Sequence, residues 1–201
     1  MIKLKSQTMI EEVLEVEKVE VQNALLKSKK ESEVVLCQLM LPNNSNFSGK
    51  IHGGFILSLM DQVAYACASK HSGNYCVTAS INTVDFLNPI EVGDLVTLKA
   101  SINYVGKSSM VVGIRIESEN LQTRIVKHCN SSYFTMVALN EAGEKMNVPG
   151  LLLETKEDIR RFLESVKRLE MKAKKLTFLN ETNFKRNNYE NQLKAYNVKI
   201  V

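Results

Sequence analysis

The sequence contains no tryptophan, no CxxC pair among its four cysteines, no internal repeat and no apolar run long enough to cross a bilayer. Each absence excludes something. A membrane-spanning helix needs about 20 apolar residues in succession. The opening MIKLKSQTMIEEVLEVEKVE is rich in glutamate and lacks the uninterrupted apolar core of a secretory leader. Cys37, Cys67, Cys76 and Cys129 have no histidine at ligand spacing, so no metal site and no disulfide framework is expected. Reduced thiols in a cytoplasmic protein are the simpler reading. Strong charge is also missing. The formal net charge is +4, and from Glu154 onward 12 Lys and Arg stand against 7 Asp and Glu. The excess therefore belongs to the tail, and no nucleic-acid surface is implied for the main domain. Lys172, Lys174 and Lys175 read as a solvated helix face rather than a membrane contact.

What is present suffices for one full core with extensions: 201 residues, 44% hydrophobic. Three sections are expected, a charged N-terminal extension over 1–33, a central domain over 34–154 and a basic helical extension over 155–201. The first is read as helix, although Leu14-Glu15-Val16-Glu17 alternates like a strand. In the centre, Val34 to Met40 closes at Pro42 as a buried strand would. Gly54 to Lys70 carries so broad an apolar pattern, with Phe55, Ile56, Leu59, Met60, Val63, Ala66 and Cys67, that near-complete enclosure by protein is expected. His71-Ser72-Gly73-Asn74 stops it. Strand patterns then follow at Cys76 to Asp85, Leu95 to Val105, Met110 to Ser118 and Ile125 to Ala138. One early strand, one buried helix and several long strands predict an α+β fold with an antiparallel sheet wrapped around the helix. In the tail, Ile159, Phe162, Leu163 and Val166 predict a single docked helical face.

The chemistry gathers where polar Asn43-Asn44-Ser45-Asn46-Phe47-Ser48-Gly49-Lys50-Ile51 runs into His52-Gly53-Gly54 and the helix. A glycine pair at a helix start offers bare N–H donors at the positive end of the helix dipole. Those donors can hold the oxyanion of a tetrahedral intermediate. Asp61 follows Gly54 by two helical turns. A carboxylate within an apolar helix is either functional or set on a wet edge beside Ser58 and Tyr65. His128-Cys129 looks like a nucleophile pair, but neighbours on a strand point to opposite faces.

These residues resemble the acyl-CoA thioesterases of the brain-type acyl-CoA hydrolase group and their bacterial relatives. The likeness rests on Pro42 to Gly54 and Leu59-Met60-Asp61. It continues through Val77-Thr78-Ala79-Ser80, Asp85-Phe86-Leu87-Asn88-Pro89-Ile90, Gly93-Asp94, Gly106-Lys107-Ser108-Ser109 and Val148-Pro149, and spans about Val34 to Leu152. It implies a hotdog fold, subunits paired as homodimers at least, and usually trimers of dimers. It makes Asp61 the catalytic carboxylate, as general base or as nucleophile, and Asn46 the active-site amide, the two meeting across the subunit interface. Gly54 would hold the oxyanion, His52 and Gly53 would line the site, and Gly106, Lys107, Ser108 and Ser109 would lie near coenzyme A. Asn46 could donate to the oxyanion or orient the water. No metal and no cofactor is implied, coenzyme A being part of the substrate. Asn82 departs from the acidic residue usual in the family. Two other functions fit the same fold: a hydratase or dehydratase acting on acyl-thioesters, for which His52 is the sole histidine of the region, and a non-catalytic acyl-CoA-binding module.

Overall fold

A computed structural model describes residues 25–181 together with 196 and 198, without side-chain detail for 176–181. The helix expected in the leader falls on residues outside that range as far as 24. The chain divides into two compact units, the first being Glu20–Ser165. The described part of the second consists of the later turns of the last helix and residues 196 and 198.

Five strands of the first unit form one antiparallel sheet. They are β2 (Val34–Leu39), β3 (Tyr75–Ile81), β4 (Asp94–Val105), β5 (Ser109–Asn120) and β6 (Val126–Leu139), in the order β2-β4-β5-β6-β3. Their alternation puts Val96, Leu98 and Ala100 of β4, Val112, Ile114 and Ile116 of β5, and Phe134, Met136 and Ala138 of β6 on one buried face. That face packs on helix α2 (Gly53–Ser72), which contributes Ile56, Leu59, Met60, Val63, Ala64, Cys67 and Ala68 to the same core. Each of the larger side chains stabilises the packing by about 1.5–3 kcal/mol. The α+β hotdog architecture read from the sequence is thus present.

Helix α2 begins where His52 caps it and ends where Gly73, at φ 72°, adopts the left-handed conformation and returns its N–H to Ser69 O. Lys27 Nζ reaches His71 O at 2.8 Å, so a cation meets the negative end of the helix. Enclosure of α2 is less complete than its composition suggests. Ser58, Asp61, Gln62 and Tyr65 form an exposed edge on the single chain. These residues lie three or four apart and so share one side of the helix. The apolar pattern runs wider than the surface that the chain's own sheet covers.

Three elements have weak sequence signals. Strand β1 (Leu26–Ser28), in the section read as leader, pairs in parallel with β7 (Gly150–Leu152). The short helix α1 (Lys29–Ser32) follows β1, and Lys29 reaches Asp158 at 2.7 Å in helix α3 (Lys156–Glu181). His71 is fully buried beneath this junction, with Ser32 Oγ 3.4 Å from Nδ1 and Pro149 O 3.0 Å from Nε2. On α3 the expected docked face is not the buried one. Ile159 and Leu163 are about half exposed, whereas Asp158 and Ser165 are buried and Phe162 packs on Tyr104 at 5.1 Å between ring centroids. The lysine bond to Asp158 and the ring contact turn the helix away from its aliphatic stripe.

Irregularities in the sheet are specific. The β4–β5 register shifts at Asn103, whose buried amide lies over Gly113. A Cβ at Gly113 would come within 2.2 Å of Asn103 Nδ2. The β3–β6 register shifts at Ala79 and the β5–β6 register at Cys129.

Candidate active site

Asn46 sits in a tight loop that its own side chain organises. Its Oδ1 accepts Ser48 N–H at 3.0 Å, Ser48 Oγ–H at 2.8 Å and Lys50 N–H at 3.2 Å. Asn46 N–H donates to Lys50 O, and Gly49, at φ 77°, donates back to Asn46 O. The loop is fixed to the start of the β4 approach by Ile51 N–H to Ile90 O and by the Lys50–Glu91 ion pair. With the amide oxygen saturated, Asn46 presents donors. Of the two roles open to it, donation to an oxyanion suits this geometry and orientation of water through its oxygen does not.

At the start of α2, His52 Nδ1 accepts Gly54 N–H at 3.0 Å. The expected oxyanion donor is therefore capped, and an incoming carbonyl oxygen needs the imidazole to rotate away. Gly53 is covered on one side by the ring of Phe86.

Asp61 lies two turns further, about 10 Å along the axis. It is exposed, and its Oδ1 accepts Thr78 Oγ–H at 2.5 Å, a length typical of a charge-assisted O–H···O⁻ bond. Thr78 comes from β3, next to the bulge at Ala79, where a shift of register re-aims side chains. Thr78 belongs to a segment that carries the family likeness, yet sequence reasoning gave it no role. A hydroxyl on a strand next to a helical acid was the available signal.

The Gly106-Lys107-Ser108-Ser109 turn joins β4 to β5 at the far end of the sheet. Lys107 O accepts Val148 N–H and Ser108 O accepts Ala138 N–H, and the neighbouring Pro149 O reaches His71 at the C-terminal end of α2. Asn46, His52, Gly53 and Gly54 stand instead near Ile90 and the beginning of β4. Twelve residues of β4 separate the two ends, roughly 35–40 Å along the strand. One chain brings Asn46 and His52-Gly53-Gly54 to one end, with Asp61 on the open edge of the same helix. It does not bring Gly106 to Ser109 to them.

Thiol chemistry has no support here. Burial pushes the Cys67 thiol up to about 12 and raises that of Cys129. His128 Nε2 lies against Asn130 O and Ser131 Oγ, not the cysteine beside it. No cluster of potential metal ligands occurs among the described residues. No helix among them is long and apolar enough to cross a membrane.

Comparison with known proteins places this geometry in context. Residues 48–125 match the family described as Thioesterase superfamily. Protein VdlD of Helicobacter pylori is 42% identical over 143 residues, which cover 71% of this chain and 82% of that protein. A crystal structure of an apo-hexameric acyl-CoA thioesterase superposes with a TM-score of 0.72 at 33% identity, over 76% of this chain and 97% of that one. The acyl-CoA hydrolase of Staphylococcus aureus, solved with butyryl coenzyme A, coenzyme A and coenzyme A disulfide, gives a TM-score of 0.71 at 31% identity over 77% and 95%. It has also been solved with an asparagine, an aspartate and a threonine each replaced by alanine, at positions 15 and 17 residues apart. With this likeness running along most of the chain, over a helix that starts on two glycines and carries an acid on its open edge, the protein belongs to the thioesterase superfamily.

Proposed function

We propose that the protein hydrolyses fatty acyl-CoA to a free fatty acid and coenzyme A, with Asp61 as general base. The observation that carries this is the Asp61–Thr78 pair on the open edge of a helix whose glycine-led start offers amide donors. Thr78 holds one carboxylate oxygen and leaves the other to take a proton from water. The water oxygen bonds to the thioester carbonyl carbon, and the carbonyl π electrons move onto oxygen. Asn46 Nδ2–H and the amides of Gly53 and Gly54 stabilise that oxyanion. Collapse breaks the carbon–sulfur bond, and the proton held by Asp61 passes to the departing thiolate. General-base action of this kind contributes about 10²–10⁴ in rate. Asn46, Asp61 and Thr78 stand at the same 15- and 17-residue intervals as the three positions varied in the Staphylococcus aureus hydrolase.

The working unit is at least a homodimer, assembled as a trimer of dimers. The wide separation within one chain of Gly106 to Ser109 from the helix start supports a site shared between copies, in which one copy's turn holds the coenzyme A bound at the other's helix. The exposed acid-bearing edge of α2 and the free edge of β3 support the same reading. Water is the sole co-reactant, no metal or cofactor takes part, and the protein acts in the cytoplasm. Incubation with palmitoyl-CoA and a thiol reagent tests the proposal. Release of coenzyme A is expected, whereas binding without thiol release, or hydration of an enoyl-CoA, would replace it with the binding or hydratase readings.

A further inference from the structure

Phe86 lies in the segment between β3 and β4 that has no regular strand, yet this segment is held to β6 throughout. Asn82 N–H donates to Tyr133 O and Leu87 N–H to Cys129 O, at 3.0 and 2.9 Å. Asn88 Nδ2 reaches His128 O at 2.8 Å, Asn130 Nδ2 reaches Asp85 O at 2.9 Å, and Ser132 Oγ reaches Thr83 O at 3.4 Å. The aromatic ring is thus carried by a fixed backbone. It meets α2 at the glycine pair: a Cβ placed on Gly53 would lie 3.2 Å from Phe86 Cζ and 3.5 and 3.7 Å from the two Cε atoms. All three are ring atoms, so the ring rests directly on the Gly53 backbone. It remains 51% exposed, leaving apolar surface open beside the donors of the helix start.

We infer that Phe86 is a substrate-positioning residue whose ring forms the apolar wall against the first carbons of the acyl chain. This rests on the hydrolase reading above and names what that site selects. The reacting carbonyl must lie within hydrogen-bond reach of the Gly53 and Gly54 amides, so its α and β carbons fall within van der Waals reach of a ring seated on Gly53. An apolar face suits methylene groups and leaves the amides of the pantetheine arm without partners. The arm's length also keeps the adenine away from it. A ring in this place covers the carbonyl side of the site from water while holding the acyl chain in a reactive pose. Gly53 is glycine for the same reason, since a side chain there would push the wall into the space of the substrate.

The test compares Phe86→Ala and Phe86→Leu with Leu87→Ala, an exposed neighbour in the same anchored segment. Acetyl-, butyryl- and palmitoyl-CoA serve as substrates. Calorimetric binding of the hydrolysis-inert thioether analogues of butyryl- and acetyl-CoA gives a second readout. Phe86→Ala is expected to lose about tenfold in kcat/KM for butyryl- and palmitoyl-CoA and about tenfold in affinity for the butyryl analogue, the scale of two methylene groups losing an apolar wall. Acetyl-CoA is little affected, Phe86→Leu recovers most of the loss, and Leu87→Ala behaves as wild type. An equal loss for all three acyl groups overturns the inference, since that marks a purely structural ring. A changed assembly mass for Phe86→Ala overturns it as well, because the ring would then belong to a subunit interface. Should the unaltered protein release no coenzyme A, the hydrolase reading fails, and the analogue affinities still decide whether the ring contacts an acyl chain.

Discussion

Replacing Thr78 by valine removes one hydroxyl and keeps the shape of the side chain. What is lost is the 2.5 Å bond to Asp61 Oδ1. Hydrogen bonds to charged groups contribute about 1.5–3 kcal/mol. Asp61 sits on an exposed helix edge, so without Thr78 its carboxylate turns freely about its terminal bond. If the whole contribution serves to hold the base in its reactive orientation, kcat falls by about 10- to 10²-fold, while KM moves little because Thr78 binds no part of the substrate. Stability should hardly change, since Thr78 lies in an edge strand and valine keeps the contact with Met136, its partner in β6. Thr78→Ser retains the donor and should recover most of the rate. Steady-state kinetics on the three proteins, with melting curves as the control for folding, give the answer. Wild-type turnover in Thr78→Val, or a serine variant as slow as the valine one, would refute the positioning of Asp61 by Thr78.

Four further outcomes are expected. Asp61→Asn should fold normally and lose at least about 10² in kcat, and steady-state turnover near wild type in that variant would end the general-base assignment. Inactive Asp61→Ala and Asn46→Ala chains, co-expressed with different tags, should regain roughly a quarter of wild-type activity, because half of randomly paired dimers hold one intact site; doubly tagged protein that stays inactive would mean that each site lies within one chain. Burial lowers the pKa of His71, so the folded state favours the neutral imidazole. The stability this confers is complete above the ordinary histidine value of about 6.5 and is lost as pH falls from there through the folded-state value. Melting curves from pH 8 to 5 should therefore decline less in His71→Gln than in wild type, and parallel declines would count against the idea. Phe162→Ala removes the ring contact with Tyr104 and should cost about 1–3 kcal/mol, read as a shift in the denaturation midpoint.

Much of the architecture is legible in the sequence because period and composition record it. The alternation over Leu95 to Val105 and Met110 to Ser118 matches β4 and β5 to within two residues at each end. Gly54 to Lys70 marks α2 to within two residues. Strands β1 and β7 escape because three residues carry no period and each is stabilised by a partner more than a hundred positions away. The open edge of α2 also escapes: apolar width reports everything that covers a helix in its working assembly, while one chain's own sheet covers less. For the site, Asn46 and Asp61 stand out as residue types in an unusual setting. The Asp61–Thr78 bond and the capping of Gly54 by His52 depend on tertiary placement, which no local pattern encodes. The buried side of α3 was misread for a related reason. Periodicity ranks faces by hydrophobicity, and here an ion pair from Lys29 and one aromatic contact set the rotation of the helix.

The amide of Asn103 lying over Gly113 constrains the order in which this lineage can change. A side chain at 113 cannot enter while Asn103 keeps its place, because the 2.2 Å approach is closer than any real Cβ contact and the amide is itself buried and bonded to Ser101. A smaller residue at 103 can be accepted first, at the expense of a small void and one hydrogen bond. Alanine or serine at 113 then fills that void. Taken in the opposite order, the same two substitutions pass through a strained intermediate. Random mutagenesis should therefore recover changes at 113 almost exclusively in genes that already carry a smaller residue at 103, a one-way epistasis written into a single bulge of β4.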